Sequence, residues 1–168
     1  KRRISEVVRL TEIEQLLDQA PFELSGGEQQ RVAIASILVL NPKILILDEP
    51  TALLDPYMAE KIITLLSDIK RQRDITIIIS EHRLDLVMPV ADQIILMKKG
   101  KILECGPKEQ VVNGKNFQDT PINVPFVYSV FEALKRKGMV SGKLPTSIPE
   151  ALKMIRPKTA RRSDFHEL

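Results

Sequence analysis

The sequence predicts an α/β domain with mainly parallel, buried strands, and three observations lead to it. Ile44-Leu45-Ile46-Leu47 and Ile75-Thr76-Ile77-Ile78-Ile79 are short apolar runs. Such runs, with little polar alternation, are the pattern of strands covered on both faces. A helical stretch lies between them, opened by Pro56 and reaching about Arg73, which suits a crossover joining parallel neighbours. Both runs also end in polar residues, Asp48-Glu49 and Ser80-Glu81-His82. The carboxyl ends of parallel strands are where open α/β sheets bind ligands.

The remaining elements follow in order. Ile4, Val7, Val8, Leu10, Ile13, Leu16 and Leu17 recur mostly three or four apart, predicting an amphipathic helix interrupted near Thr11, which would cap a second helix. Ala20-Pro21-Phe22-Glu23 breaks it. Leu24-Ser25-Gly26-Gly27-Glu28 then leads into a helix from Gln29 to Leu40, stopped by Asn41-Pro42. Beyond the second strand a short helix is predicted over Arg83 to Val90. Ile94 to Met97 and Lys101 to Glu104 flank Lys98-Lys99-Gly100 as a hairpin, and Pro107 to Val112 form another short helix. After Asn113 the texture changes: 113–125 is a polar loop with two prolines, followed by helices over Val127 to Lys137 and Ile148 to Ile155. Three regions result. Residues 1–42 carry part of a helical subdomain, 43–112 the core, and 113–168 a helical extension with a basic tail.

Composition narrows the partners. The chain has 168 residues, 43% of them hydrophobic, and a net charge of +3. That composition is globular rather than disordered. The basic excess gathers between Lys153 and Arg162 while acids and bases alternate elsewhere, so charge does not point to nucleic acid. With Cys105 as its one cysteine the sequence can form no internal disulfide, which fits a reducing compartment. No apolar run approaches the roughly 18–20 residues needed to span a bilayer.

Three groups of residues carry chemistry. Ser25-Gly26-Gly27 sits at a helix start, where unpaired N–H groups and the positive dipole end favour anions and glycine permits close backbone approach. The same triplet is also an ordinary serine cap. Asp48, at a strand end, can hold Mg²⁺ in phosphate chemistry, and Glu49 can orient or polarise a water; a loop that simply turns polar as it leaves the core gives the same pair. His82, just beyond the next strand, can reach a γ-phosphate there, and a lone histidine at such a place is equally an ordinary surface residue.

In this order and spacing the residues from Leu24 to Gly106 resemble the ABC ATPase family, whose core is a P-loop NTPase fold. Leu24 to Glu28 is similar to its signature motif and Ile44 to Asp48 to its Walker B strand. Glu49 resembles its catalytic glutamate, Thr51 to Asp55 its D-loop, and His82 its switch histidine. The resemblance implies ATP and Mg²⁺ as cofactors, with Asp48 on the metal, Glu49 as base or water-positioner and His82 at the γ-phosphate. It implies that Ser25, Gly26, Gly27 and Glu28 meet ATP held by an opposing domain, and that Asp55 takes part in communication across that dimer. Two positions depart from the pattern. Glu28 stands where glutamine is common, and Leu53 where a small residue is usual.

Ala33 to Val39, Ser80 to Asp85 and the tail segments 132–138 and 148–152 resemble the energy-coupling factor branch, which includes cobalt and nickel importers. The expected function is the ATPase motor of an importer of a vitamin or transition-metal ion, peripheral on the cytoplasmic face of the membrane. Its expected partners are a second ATPase domain, in a homo- or heterodimer or in tandem, and an integral membrane subunit; nucleic acid is not expected. A non-transport ABC ATPase of DNA repair or translation is the alternative. The basic stretch from Lys153 to Arg162 is read as a linker to a second ATPase domain or a solvated terminus.

The 168 residues contain no G-x-x-x-x-G-K-[ST] loop, which cradles the phosphates in this fold. The sequence is accordingly expected to be the C-terminal part of a longer ATPase. The purified 168-residue chain is expected to show no Mg²⁺-dependent ATP turnover in a phosphate-release assay.

Overall fold

The structure, a computed structural model, describes residues 2–119 and 124–155. The basic tail beyond Ile155 and Pro121 of the predicted loop lie outside the described residues. The chain divides into two compact units between Val90 and Ala91.

The first unit begins with α1 (Arg2–Leu10), which buries Val7 and Val8. The predicted second helix after it is a single 3-10 turn, Glu14–Leu16. Thr11 does not cap it. The buried Thr11 hydroxyl instead donates back to the Val7 carbonyl at 2.8 Å, and Glu12 takes φ 53°, so the chain leaves the helix there. Pro21–Glu23 forms a second 3-10 turn. Helix α2 (Gly26–Leu38) starts three residues before the predicted Gln29 and ends before Leu40. Both glycines lie inside its first turn, where a serine cap compensates for their low helix propensity. Asn41 at φ 56° turns the chain into the strand.

Strands β1 (Ile44–Asp48) and β2 (Thr76–Ser80) pair in parallel, with Ile44 opposite Thr76 and Asp48 opposite Ser80. Helix α3 (Pro56–Gln72) joins them and buries Ala59, Ile62, Ile63, Leu66 and Ile69. The last four of these pack with Leu45 and Leu47 of β1 and with Ile34 and Leu38 of α2. The expectation of strands buried on both faces is corrected. Burial alternates along β1, and Ile46 is 70% exposed with Ile44 and Ile78 also open to solvent. A sheet face is buried only where another element lies on it, and among the described residues of this sheet that holds for the Leu45/Leu47 face. A short helix, α4 (Leu84–Val87), follows β2.

The second unit opens with an antiparallel ribbon of β3 (Gln93–Lys98) and β4 (Lys101–Pro107). Its turn has two residues, Lys99 and Gly100, both at positive φ, the geometry that matches strand twist. Helix α5 (Lys108–Val112) follows directly. The predicted polar loop contains one further short helix, α6 (Lys115–Gln118). Helices α7 (Phe126–Arg136) and α8 (Ile148–Ile155) complete the unit close to their predicted positions. Its core is tied by Tyr128, whose hydroxyl donates to the Val112 carbonyl at 3.0 Å and whose ring meets Phe117 edge-on at 5.9 Å. Among the described residues no helix is long and apolar enough to cross a membrane.

This burial pattern separates two isoleucines. Ile62→Ala is expected to lower the unfolding free energy by about 2–5 kcal/mol through the cavity it leaves. Ile46→Thr is expected to change it by about 0.5 kcal/mol or less in the 168-residue chain. Urea titrations followed by circular dichroism measure both.

Candidate functional site

The parallel register carries both polar clusters to one edge of the two-stranded sheet. Asp48 is the last residue of β1 and is exposed. Glu49 follows with φ 45°, a left-handed backbone that costs a non-glycine residue roughly 1–2 kcal/mol. Its N–H donates to the Ser80 carbonyl at 2.9 Å, so the strand pairing holds that backbone in place. The Glu49 side chain is left half exposed, at 52%.

His82 joins it from the other strand. Its Nδ1 lies 3.7 Å from Glu49 Oε1 and 3.6 Å from Glu81 Oε1, and its side chain is 60% exposed. Both distances exceed a direct hydrogen bond, so neither exposed side chain is locked by the other. Glu81 differs, with a side chain only 1% exposed. One of its oxygens accepts from the Thr51 hydroxyl at 2.7 Å, and the other from the backbone N–H groups of His82 and Arg83 at 3.2 Å each. Arg83 reaches back to the carbonyls of Thr51 and Leu54 at 3.4 and 3.3 Å. Sequence reasoning passed over Glu81, Thr51 and Arg83 as contributors. The available signal was a glutamate inside the polar exit of a strand, where a carboxylate needs donors.

The loop after Glu49 ends at Asp55. Its Oδ1 accepts from the N–H groups of Tyr57 and Met58 at 2.9 and 3.0 Å, capping α3 with Pro56 at the first helical position. Leu53, one of the two residues that depart from the family pattern, is 98% exposed in this loop.

The Ser25 segment meets the same loop from α2. A side chain at Gly26 would place its Cβ 3.5 Å from Leu54, and one at Gly27 would place it 2.2 Å from the Met58 terminal methyl. Gly27 is buried, and the Met58 terminal methyl of α3 lies where its side chain would be. The Ser25 hydroxyl and N–H both donate to one Glu28 oxygen, at 2.7 and 2.8 Å. These two bonds hold the Glu28 carboxyl below its ordinary pKa, the hydroxyl bond being the larger cause. The structure thus brings Glu49 together with His82, and Ser25-Gly26-Gly27 together with the loop that ends at Asp55.

Asp48, exposed at the end of β1, offers a carboxylate of the kind magnesium takes. Mg²⁺ in phosphate sites commonly takes one or two carboxylates and completes its shell with phosphate and water.

Comparison with known proteins follows the same lines. Residues 1–52 match the sequence model of the ABC transporter family. The chain is 38% identical to an energy-coupling factor transporter ATP-binding protein (EcfA2) of Methanospirillum hungatei, over 92% of this chain and 39% of that protein. It is 39% identical to another (EcfA3) of Clostridium perfringens, over 92% of this chain and 55% of that protein. The chain thus spans about two fifths to a little over half of these relatives. Among solved structures it is similar to cbiO1 of Clostridium perfringens, part of the ABC transporter complex cbiONQ. That match has a TM-score of 0.64 at 36% identity, covering 82% of this chain and 51% of the other. A dimeric bacterial ABC transporter cassette matches with a TM-score of 0.54 at 33% identity, covering 64% and 46%. The fold is the α/β fold of ABC ATPase cassettes, in part.

Two outcomes follow from the local geometry. Glu28 is expected to titrate below an ordinary glutamate, and Ser25→Ala to raise its midpoint, read by carboxyl NMR. Because the folded pKa is the depressed one, the cap's stabilisation is present above the unfolded pKa and lost as pH falls through the folded value. Glu49→Gly is expected to leave stability within about 1 kcal/mol of wild type, since relief of the positive φ offsets glycine's entropy cost. Urea unfolding measures it.

Proposed function

The chain belongs to the ABC transporter ATPases, and from that premise we propose that it supplies the catalytic carboxylate and the signature motif of an importer's ATP-hydrolysing motor. The importer is of the energy-coupling factor kind, taking up a vitamin or a transition-metal ion. The observation that carries this reading is the pairing of two exposed side chains, Glu49 and His82, at the mouth of a parallel sheet, on a backbone fixed by the Glu49–Ser80 hydrogen bond.

The roles follow from position. Bound MgATP supplies the phosphoryl group to be transferred and the metal's neutralising charge. Asp48 would hold the metal. Glu49, exposed and unlocked, orients a water and takes its proton. His82 contacts the γ-phosphate and is kept beside Glu49 by the loop at Glu81. Ser25, Gly26, Gly27 and Glu28 present a helix N-terminus to ATP held on an opposing ATPase domain. The Ser25 hydroxyl would have to turn from Glu28 to donate there. Asp55, which caps α3, would take part in communication across that dimer. The regions 1–42, 43–112 and 113–168 are proposed as functional divisions: partner-site contact, catalytic core and accessory extension.

The proposed partners are a second ATPase domain, as a homo- or heterodimer or in tandem, and an integral membrane subunit, with the ATPase peripheral on the cytoplasmic face. The resemblance to relatives described as energy-coupling factor ATP-binding proteins supports the importer branch.

In the full-length protein, Glu49→Gln is expected to lower kcat by about 100-fold or more, the scale of a lost general base. It should still permit ATP-stabilised dimers on size exclusion. Turnover at the wild-type rate would remove Glu49 from the mechanism. Co-purification with a membrane subunit in detergent tests the importer assignment, and salt-sensitive retention on DNA or ribosomes would overturn it.

A further inference from the structure

The residue between Ser80 and His82 carries more of the site's architecture than either exposed side chain. A carboxylate that is 1% exposed has given up almost all of its water, a large cost unless donors replace it. Glu81 has three replacements, and they come from two different segments. Thr51, itself fully buried, donates its hydroxyl from the loop after Glu49. The N–H groups of His82 and Arg83 donate from the loop after β2. Arg83 then closes the circuit by donating to the Thr51 and Leu54 carbonyls. A charge-assisted bond from a hydroxyl is among the stronger ones, so the Thr51–Glu81 bond joins the two loops firmly.

We propose that Glu81 is a positioning residue, with Thr51 and Arg83 as its anchors, that locks the His82 loop to the Glu49 loop so that both functional side chains are set as one unit. The proposal rests on the assignment of Glu49 and His82 above. Glu81 acts through the backbone of His82 and the fold of residues 51–54, and touches no substrate. The arrangement separates rigidity from reactivity, because the bracing carboxylate is buried while Glu49 and His82 stay free to meet a ligand.

The test uses steady-state ATPase kinetics of the full-length protein with Glu49→Gln as the reference. Thr51→Val and Glu81→Ala are each expected to lower kcat about tenfold or more with the ATP KM changed about twofold or less, as for a misplaced rather than a lost catalytic group. Thr51→Ser, which restores the hydroxyl, is expected to recover kcat to within about threefold of wild type. The Thr51→Val/Glu81→Ala double variant should be about as impaired as the worse single one, because both remove the same bond. Where Glu81→Ala does not fold, Glu81→Gln takes its place, since an amide offers one accepting oxygen to donors on two sides. Near-wild-type kcat in Thr51→Val and the Glu81 variant, with Glu49→Gln inactive, overturns the positioning role alone. Equal loss in Thr51→Ser and Thr51→Val overturns it too, since the hydroxyl would then not be the link. An active Glu49→Gln sinks the site assignment itself and this proposal with it.

Discussion

Parallel pairing of β1 with β2, with Asp48 opposite Ser80, is the constraint on which the site depends. Two parallel neighbours end at the same edge, so whatever each chain carries just past its last residue is delivered to one place. The pairing does more than align ends. It continues one step past β1, where the Glu49 N–H meets the Ser80 carbonyl, and that bond coincides with a positive φ. A backbone turned this way departs from the strand's alternation and presents the carboxylate at the sheet mouth. Strain of this kind persists only where surroundings over-determine it, and here the sheet does so.

Three carboxylates sit within a few residues of this edge and do different work because their surroundings differ. Asp48 and Glu49 are exposed and available to ligands. Glu81 is buried and spent on structure, with its oxygens directed to Thr51 and to two backbone N–H groups. Desolvation makes an unpaired buried charge costly, so the same chemistry that renders Glu49 reactive obliges Glu81 to find donors. The result joins two loops far apart in sequence.

The start of α2 shows a second economy. Its glycines were read as openings for a ligand, and the structure gives Gly27 a packing duty as well, since Met58 of α3 occupies the space a side chain would take. Gly26 faces Leu54 with room for a Cβ in ordinary contact. Ser25 caps through its bonds with Glu28, which places glutamate, at a position where glutamine is common in the family, in a capping role. The helix start and the loop from Thr51 to Asp55 are therefore neighbours.

Much was legible in the residues themselves. The two strands, the long helix opened by Pro56, the hairpin and the two late helices declare themselves through periodicity, proline and glycine, because those signals report local backbone preference. The order of Ser25-Gly26-Gly27, Asp48-Glu49 and His82 was enough to suggest the family. What periodicity could not supply was anything set by a distant neighbour. The burial of Leu45 and Leu47 against α3, the α2–α3 contact at Gly27 and the burial of the Glu81 side chain against Thr51 each depend on an element elsewhere in the chain. Local sequence determined which segments are strands and helices and which residues bear charge. Tertiary structure alone decided which of those charges stay in water and which are buried, because burial belongs to the packed assembly and not to the residue.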